Sequence, residues 1–314
     1  MRRHFVIGAG AIGLWSAATL SPTAPTTLVA RGARREALAR TPLRVIDRTG
    51  ATLATRSLDV TELESLPARL GDSTVIVATK CAEVDAVLAR IVPRLSPETA
   101  VFLGQNGLGL AAQAQARGVP PTQIGRALFW LGARREDDTT LRVAGVHRVD
   151  LAGHEALNAA KATLADALRA SGVAVDDLGP QTALAEWKKS LWNLAVNALC
   201  AIADAPNGAV LDSPPLRRLA ERLLDEAIAV ASAEGEALSR DDRDAVFASL
   251  ERTRSNLNAT LQDLRHGRAT ELPWLNAAVV SRGARHGVST PVNETLVALV
   301  EDLERRQTRR ANNA

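Results

Sequence analysis

Several residue types that define whole classes of protein are scarce in this sequence of 314 residues. Its two cysteines, Cys81 and Cys200, are too few for a disulfide framework and belong to no spaced metal or redox motif. The five histidines have no metal-ligand spacing either, so no metal site is predicted. Together these absences exclude a disulfide-stabilised secreted domain and favour a reducing compartment.

Long apolar runs are also missing. No segment reaches the roughly 18 uninterrupted apolar residues that a membrane-spanning helix needs. The first thirteen residues, MRRHFVIGAGAIG, are basic and then apolar, but glycines interrupt them where a signal peptide would stay apolar. We therefore expect a cytoplasmic protein.

An excess of one charge is absent as well. The sequence has 38 basic and 35 acidic residues, a formal net charge of +3, and aromatic residues make up only 3%. The arginines are dispersed and form no basic stripe with interleaved aromatics, so a nucleic-acid partner is not expected. The content of 46% hydrophobic and 23% charged residues is typical of a globular protein, and the length suits two domains.

In the first half, short apolar runs alternate with helical stretches, which predicts an α/β fold with a doubly wound parallel sheet of the Rossmann type. The runs are HFVIG (4–8), TTLVAR (26–31), STVIVATK (73–80) and TAVFLGQNG (99–107). Between the second and third, LRVIDRTGATLATRSLDV predicts an inserted hairpin around Thr49-Gly50. Two later runs, TLRVAGVHRVDLAG and GVAVDDLG, predict further strands.

From about Gln181 onward the sequence consists of long amphipathic stretches rich in Ala, Leu, Glu and Arg, with no convincing strand. A break at Gly179-Pro180 precedes them. We therefore expect a nucleotide-binding domain at residues 1–178 and a smaller all-helical substrate-binding domain at residues 179–314.

The run VIGAGAIG places Gly8, Gly10 and Gly13 in a G-x-G-x-x-G pattern, with Ala11 and Ile12 between the last two glycines. In a dinucleotide site these glycines permit a tight turn, a close approach of the pyrophosphate, and close packing of helix on strand. The pattern directly follows a strand and opens a helix, so we favour dinucleotide binding over a merely structural glycine turn.

The second apolar run ends in Arg31, where an enzyme that prefers NAD would have an acidic residue. A guanidinium group at this position suits the 2′-phosphate of NADP. Arg34 and Arg35 follow, and for these two a solvated helix start is an equally good interpretation. Lys80 and Asn106 end the next two main strands, which predicts that they face the same cofactor crevice.

The stretch KKSLWNLAVNALCAIA (188–203) reads as a buried helix, yet Lys189, Asn193 and Asn197 recur in it every four residues and so share one face. Because an unpaired ammonium or amide is costly in an apolar setting, we expect this row to face a ligand in the cleft between the two domains. The alternative is a structural hydrogen-bond network. Glu271 could hold a substrate hydroxyl or orient the lysine, although a glutamate at a helix start is also a common structural feature.

With these residues the chain resembles the ketopantoate reductase family over nearly its whole length. The resemblance rests on GAGAIG, Arg31, Lys80, QNG (105–107), K-x-x-x-N-x-x-x-N (189–197), PNG (206–208) and LQD…TE…N…HG…TPVN (261–293). It implies a Rossmann domain followed by a helical domain, with NADPH and a 2-keto acid meeting between them. It also implies Lys189 as general acid, Lys80 and Asn106 beside the nicotinamide, Asn106, Asn193, Asn197 and Asn207 as substrate contacts, and Glu271 as the carboxylate that binds the substrate hydroxyl.

Two departures from the family pattern bear on the substrate. Ala259 stands where the family commonly has a serine that contacts the substrate carboxylate, and the neighbouring Asn258 could replace that contact. Ala198 replaces a proline that usually follows the second asparagine of the row. Loss of one hydroxyl contact typically costs about 1–3 kcal/mol for the substrate that needs it.

The leading hypothesis is an NADP-dependent reductase of 2-dehydropantoate. A different ketone or 2-keto acid is the first alternative, and a protein that senses NADP without turnover is the second. The expected partner is a small keto acid. A homodimer is possible, although no heptad pattern indicates one.

Overall fold

The computed structural model describes residues 2–312, apart from the side chains of residues 146–147 and 308–312. One histidine of the sequence analysis, His147, lies outside the described side chains. The chain divides into two compact units: one comprises the residues up to Gln105 together with Gly109–Ala185, the other Asn106–Leu108 and the residues from Glu186 onward. The sequence boundary at 178/179 lies slightly earlier, in the loop before the first long helix of the second unit.

The first unit is an α/β structure in which the described residues form one ten-stranded sheet. The strands are β1 (Arg3–Ile7), β2 (Thr26–Val29), β3 (Leu43–Ile46), β4 (Thr52–Arg56), β5 (Asp59–Thr61), β6 (Ser73–Val77), β7 (Ala100–Leu103), β8 (Ile124–Arg135), β9 (Thr140–Gly153) and β10 (Val175–Asp177). The helices are α1 (Ala11–Leu20), α2 (Gly32–Arg40), α3 (Val84–Ile91), α4 (Leu110–Ala116) and α5 (Asn158–Ala170).

The strand order is β4-β3-β9-β8-β7-β6-β1-β2-β5, with β10 beside β9. All pairs from β8 to β5 are parallel, as predicted for a Rossmann-type sheet. The β3–β4 pair is antiparallel, which confirms the predicted hairpin. Strands β6 and β7 are buried along their whole length, which explains why they read as continuous apolar runs.

On one face of the sheet, every second residue of the central strands points into the core. Val6, Leu28 and Ile76 are among these residues, and they pack with Leu14 of α1 and Leu164 of α5. The alternate residues of the same strands are buried too, so both faces of the sheet are covered. The paired registers of β1 with β2 and with β6 bring the carboxyl ends of these three strands side by side. The segments that follow them therefore share one edge of the sheet.

The sequence pattern does not predict strand β8. Its sequence IGRALFWLGARR is rich in helix-forming Ala, Leu and Arg, and its first six residues are all buried rather than alternating. Pairing with β9, interrupted by two irregularities of register, holds it as a strand. Tertiary pairing has overridden local propensity here.

The second unit is helical, as predicted, and no strand occurs among its described residues. Its helices are α6 (Thr182–Ile202, which begins just before the division), α7 (Ala209–Asp212), α8 (Pro214–Ala233), α9 (Arg240–Leu250), α10 (Ala259–Arg265), α11 (Asn276–His286) and α12 (Pro291–Asn312). Leu191, Leu194 and Leu199 of α6 pack in a core with Leu223 and Ala227 of α8. Over the described residues, no helix combines the length and the apolarity that crossing a membrane requires.

Candidate active site

The glycine-rich loop joins β1 to α1 in a conformation that depends on two glycines. Gly8 has a φ of +111°, and a Cβ there would lie 2.8 Å from the backbone nitrogen of Thr79. A Cβ at Gly13 would lie 1.7 Å from the carbonyl oxygen of Gly8. Residues with side chains cannot occupy these positions without a shift of the backbone, so α1 lies close against the end of β1.

Gly10 has a different environment. It precedes α1 as the N-cap residue, and the nearest atom to a Cβ there would be the carbonyl oxygen of Ala78, at 3.9 Å. No side chain caps the helix at this end, and no acidic residue lies in its first turn. The loop thus leaves space next to the first N–H groups of α1, which have no acceptor within the helix. The pyrophosphate of a dinucleotide binds in such a space.

Arg31 lies two residues beyond the end of β2, on the same edge of the sheet, and its side chain is 89% exposed. Its Nη2 group donates a hydrogen bond of 2.5 Å to Oε1 of Glu83, which stands at the start of α3. Lys80 follows β6 on this edge and is exposed to solvent. The first unit therefore brings the glycine loop, Arg31 and the Lys80 segment to one place, while the acidic partner of Arg31 was not recognised from the sequence.

Arg34 has a structural contact with the glycine loop. Its Nη1 group donates to the carbonyl oxygen of Ala9 at 3.2 Å, and its Nε group donates to Asp138 at 3.0 Å. Of the two interpretations left open for this arginine, a freely solvated helix start is thus the less apt. Arg34 helps to fix the loop through backbone and carboxylate contacts.

The polar row of the second unit lies within the single helix α6, as the spacing predicts. Lys189, Asn193 and Asn197 are only 6%, 5% and 4% exposed, whereas the adjacent Lys188 is exposed and pairs with Asp242 at 3.5 Å. The ammonium group of Lys189 lies 5.7 Å from the ring centroid of Trp192. A cation in this position is attracted to the negative face of the indole ring.

Two further asparagines lie near the carboxyl-terminal part of α6. Asn207 is buried, its backbone N–H donates to Asn256, and its Oδ1 atom has no hydrogen-bond partner among the described residues. Asn258 is the N-cap of α10: its Oδ1 accepts from the N–H of Leu261 at 2.9 Å, and its Nδ2 donates to Val196 at 3.4 Å. The side chain of Asn258 therefore already caps α10. Its position just before a helix, where asparagine is a preferred N-cap residue, could have predicted this role.

Asn106 belongs to the helical unit although it follows a strand of the first unit. In its segment, Leu108 donates a backbone hydrogen bond to Trp274, and a Cβ at Gly107 would lie 2.7 Å from the Cβ of Trp274. Glu271 is half-buried and occupies the N-cap position of the short 3-10 turn that contains Trp274. The structure thus brings the Asn106 segment and the Glu271 turn together.

A hydrogen-bonded chain beside this turn was not identified from the sequence. Asn276 donates to Asn293 at 2.9 Å, and Asn293 donates to Glu226 at 2.8 Å. Glu226 also accepts the backbone N–H groups of Val292 and Asn293 at the start of α12. These contacts link α8, α11 and α12, and they assign Glu226 and Asn293 a structural function.

A glycine-rich loop at the carboxyl edge of a parallel sheet defines a Rossmann-type α/β protein, here followed by a helical unit. Two family models match the chain: "Ketopantoate reductase PanE/ApbA" over residues 4–155 and "Ketopantoate reductase PanE/ApbA C terminal" over residues 182–304. The chain belongs to the ketopantoate reductase family of oxidoreductases, and the resemblance seen in the sequence is confirmed.

Relatives agree with this assignment. The chain is 32% identical to the 2-dehydropantoate 2-reductase of Halobacterium salinarum over 307 residues, which cover 96% of this chain and 99% of that protein. It is 30% identical to the 2-dehydropantoate 2-reductase of Vibrio cholerae over 233 residues, which cover 73% and 77%.

Solved structures confirm the predicted fold class. A PanE/ApbA family ketopantoate reductase from Ralstonia eutropha superposes with a TM-score of 0.85 at 25% identity, over 98% of this chain and 99% of that one. A D-mandelate dehydrogenase in complex with NADH and anilino(oxo)acetate has a TM-score of 0.87 at 22% identity, over 98% and 99%. The second likeness is one of fold alone.

Proposed function

We propose that this protein catalyses the NADPH-dependent reduction of a 2-keto acid to a 2-hydroxy acid, with 2-dehydropantoate as the leading substrate. The observation that carries the proposal is the buried row of Lys189, Asn193 and Asn197 on α6, in a chain of the ketopantoate reductase family. Burial of an ammonium group is costly, and a role in the reaction gives a reason for keeping it there.

The cofactor would be held by the first unit. The open space at Gly10 and the start of α1 fit a pyrophosphate, and Ala11, Ile12 and Gly13 continue the same turn. Arg31 would bind the 2′-phosphate, since no acidic residue ends β2 to favour NAD. Lys80 and Asn106 would contact the nicotinamide half. NADPH bound in this way would supply the hydride.

Lys189 would supply the proton. Addition of hydride to a ketone leaves a negative charge on the carbonyl oxygen, and a protonated amine within hydrogen-bond reach both stabilises that charge and neutralises it. The Nζ–H of Lys189 would donate to this oxygen, and the ring of Trp192, whose centroid lies 5.7 Å from Nζ, would help to hold the ammonium group in place.

The remaining polar side chains would fix the substrate. Asn106, Asn193, Asn197 and Asn207 would donate hydrogen bonds to the keto acid, and Glu271 would accept one from a substrate hydroxyl. The Oδ1 of Asn207, which has no hydrogen-bond partner among the described residues, would accept a hydrogen bond from a substrate hydroxyl. Asn258 is the weakest member, because its amide already caps α10 and bonds to α6.

A second candidate is reduction of another ketone or 2-keto acid with the same fold and cofactor. It is favoured by Ala259, which is exposed at the start of α10 and has no hydroxyl to offer a carboxylate. The D-mandelate dehydrogenase of similar fold is named for a different hydroxy acid.

The test is a panel of 2-keto acids, each assayed with NADPH and with NADH, by the loss of absorbance of the reduced nicotinamide. We expect turnover of 2-dehydropantoate that is faster with NADPH. Turnover of a different keto acid alone would support the second candidate. Binding of NADPH with no turnover of any keto acid would instead identify a sensor of NADP and refute the proposal.

A further inference from the structure

The arginines that follow β2 are each paired with a carboxylate. In the sequence these arginines read as a basic group that could bind a phosphate, but in the fold their positive charges are balanced by carboxylates. The pairs are Arg31–Glu83 at 2.5 Å, Arg34–Asp138 at 3.0 Å and Arg35–Glu62 at 3.7 Å.

The Arg31–Glu83 pair is the one that lies at the proposed cofactor edge. Arg31 follows β2, Glu83 belongs to the turn after β6, and β1 with its glycine loop lies between these two strands. The ion pair therefore spans the end of the strand from which the glycine loop begins. The two side chains are 89% and 40% exposed, so the pair is accessible to a ligand.

This carboxylate distinguishes the two nicotinamide cofactors by charge. The 2′-phosphate of NADPH carries roughly −1.5 to −2 charges. It would bind the guanidinium group of Arg31, which is already paired with Glu83. NADH has a neutral 2′-hydroxyl in the same place, and a carboxylate can accept a hydrogen bond from it. Glu83 thus opposes the first cofactor and tolerates or assists the second.

We propose that Glu83 is a specificity-determining residue, which competes with the 2′-phosphate for Arg31 and so limits the preference for NADPH over NADH. The inference rests on the proposed binding of a nicotinamide cofactor. The repulsion between two like unit charges roughly 6 Å apart in water would weaken binding of a singly charged ligand about threefold. For a phosphate of nearly two charges, we expect an effect of about five- to tenfold.

The experiment measures the dissociation constants of NADPH and NADH for wild type and Glu83→Gln at one fixed ionic strength. Glu62→Gln is the matched control, since it removes the same charge from a carboxylate of similar exposure, 47% against 40%, that pairs with Arg35. We expect Glu83→Gln to tighten NADPH binding about five- to tenfold and to change NADH binding less than about twofold. Glu62→Gln should leave the ratio of the two constants unchanged.

The double variant Arg31→Ala/Glu83→Gln tests whether the competition acts through Arg31. The gain for NADPH should disappear when Arg31 is absent, and a gain that persists would overturn the competition. An unchanged ratio in Glu83→Gln, or an equal change in Glu62→Gln, would overturn the inference while leaving the proposed function intact. If the wild type bound neither cofactor, the proposed function itself would fail, and the inference with it.

Discussion

Replacing Gly13 with alanine should destabilise the protein, although the same change in a helix interior usually stabilises it. Alanine in place of glycine normally stabilises a helix interior by about 0.5–1 kcal/mol. Here the new methyl carbon would lie 1.7 Å from the carbonyl oxygen of Gly8 and 2.9 Å from its carbonyl carbon. Both atoms belong to the backbone, so relief requires α1 and the loop to move apart.

Overpacking of this kind costs about 1–3 kcal/mol and occasionally more, and we expect Gly13→Ala to lose about 3 kcal/mol. At roughly 2–4 °C per kcal/mol for a domain of this size, melting should fall by about 6–12 °C. Gly10→Ala is the matched control, because its methyl group would meet nothing closer than 3.9 Å. It should melt near the wild type and yet bind NADPH at least about tenfold more weakly, since it obstructs the pyrophosphate.

Thermal melting followed by circular dichroism, together with NADPH titration, checks both variants. If Gly13→Ala melted at or above the wild-type temperature, the close packing of α1 on the loop would be refuted. If Gly10→Ala bound NADPH as well as the wild type, the pyrophosphate would not lie at this turn.

Two further predictions concern the substrate and the pH dependence of folding. Ala259→Ser should raise kcat/KM for 2-dehydropantoate by about 5- to 150-fold, which corresponds to one hydroxyl contact of about 1–3 kcal/mol. An unchanged value in steady-state assays would show that the missing hydroxyl does not limit the rate with this substrate. His4 is buried in β1, and neither ring nitrogen has a hydrogen-bond partner among the described residues; burial, aided by the charge of Arg2, lowers its pKa from 6.5 to about 4. Because the unfolded chain binds a proton that the folded one excludes, the free energy of unfolding should fall by roughly 2–3 kcal/mol between pH 7 and pH 4.5. Urea titrations of wild type and His4→Leu check this, and an equal slope with pH in both would exclude His4 as its source.

Much of the fold could be predicted because its strands are short, buried on both faces and bounded by glycine or polar residues. β6 and β7 are of this kind. β8 could not be predicted in this way, because its residues favour a helix and only the long pairing with β9 makes it a strand. Sequence patterns report local preference, and pairing of distant segments is not local.

The candidate site shows the same limit. The interval of four residues placed Lys189, Asn193 and Asn197 on one face, and the structure confirms that they share one buried helix. The carboxylate beside Arg31 comes from a residue 52 positions away, on the far side of β1, and no local pattern points to it. The assignment of the Asn106 segment to the helical unit likewise depends on its contacts with Trp274.

The most direct test of the central claim compares Lys189→Ala with Lys188→Ala in the reduction of 2-dehydropantoate. The two lysines are neighbours on α6, but one is buried and the other exposed. If Lys189 donates the proton, Lys189→Ala should lower kcat by about 10²–10⁴-fold with NADPH affinity nearly unchanged, while Lys188→Ala keeps wild-type turnover. Wild-type turnover in Lys189→Ala, or an equal loss in both variants, would contradict the account.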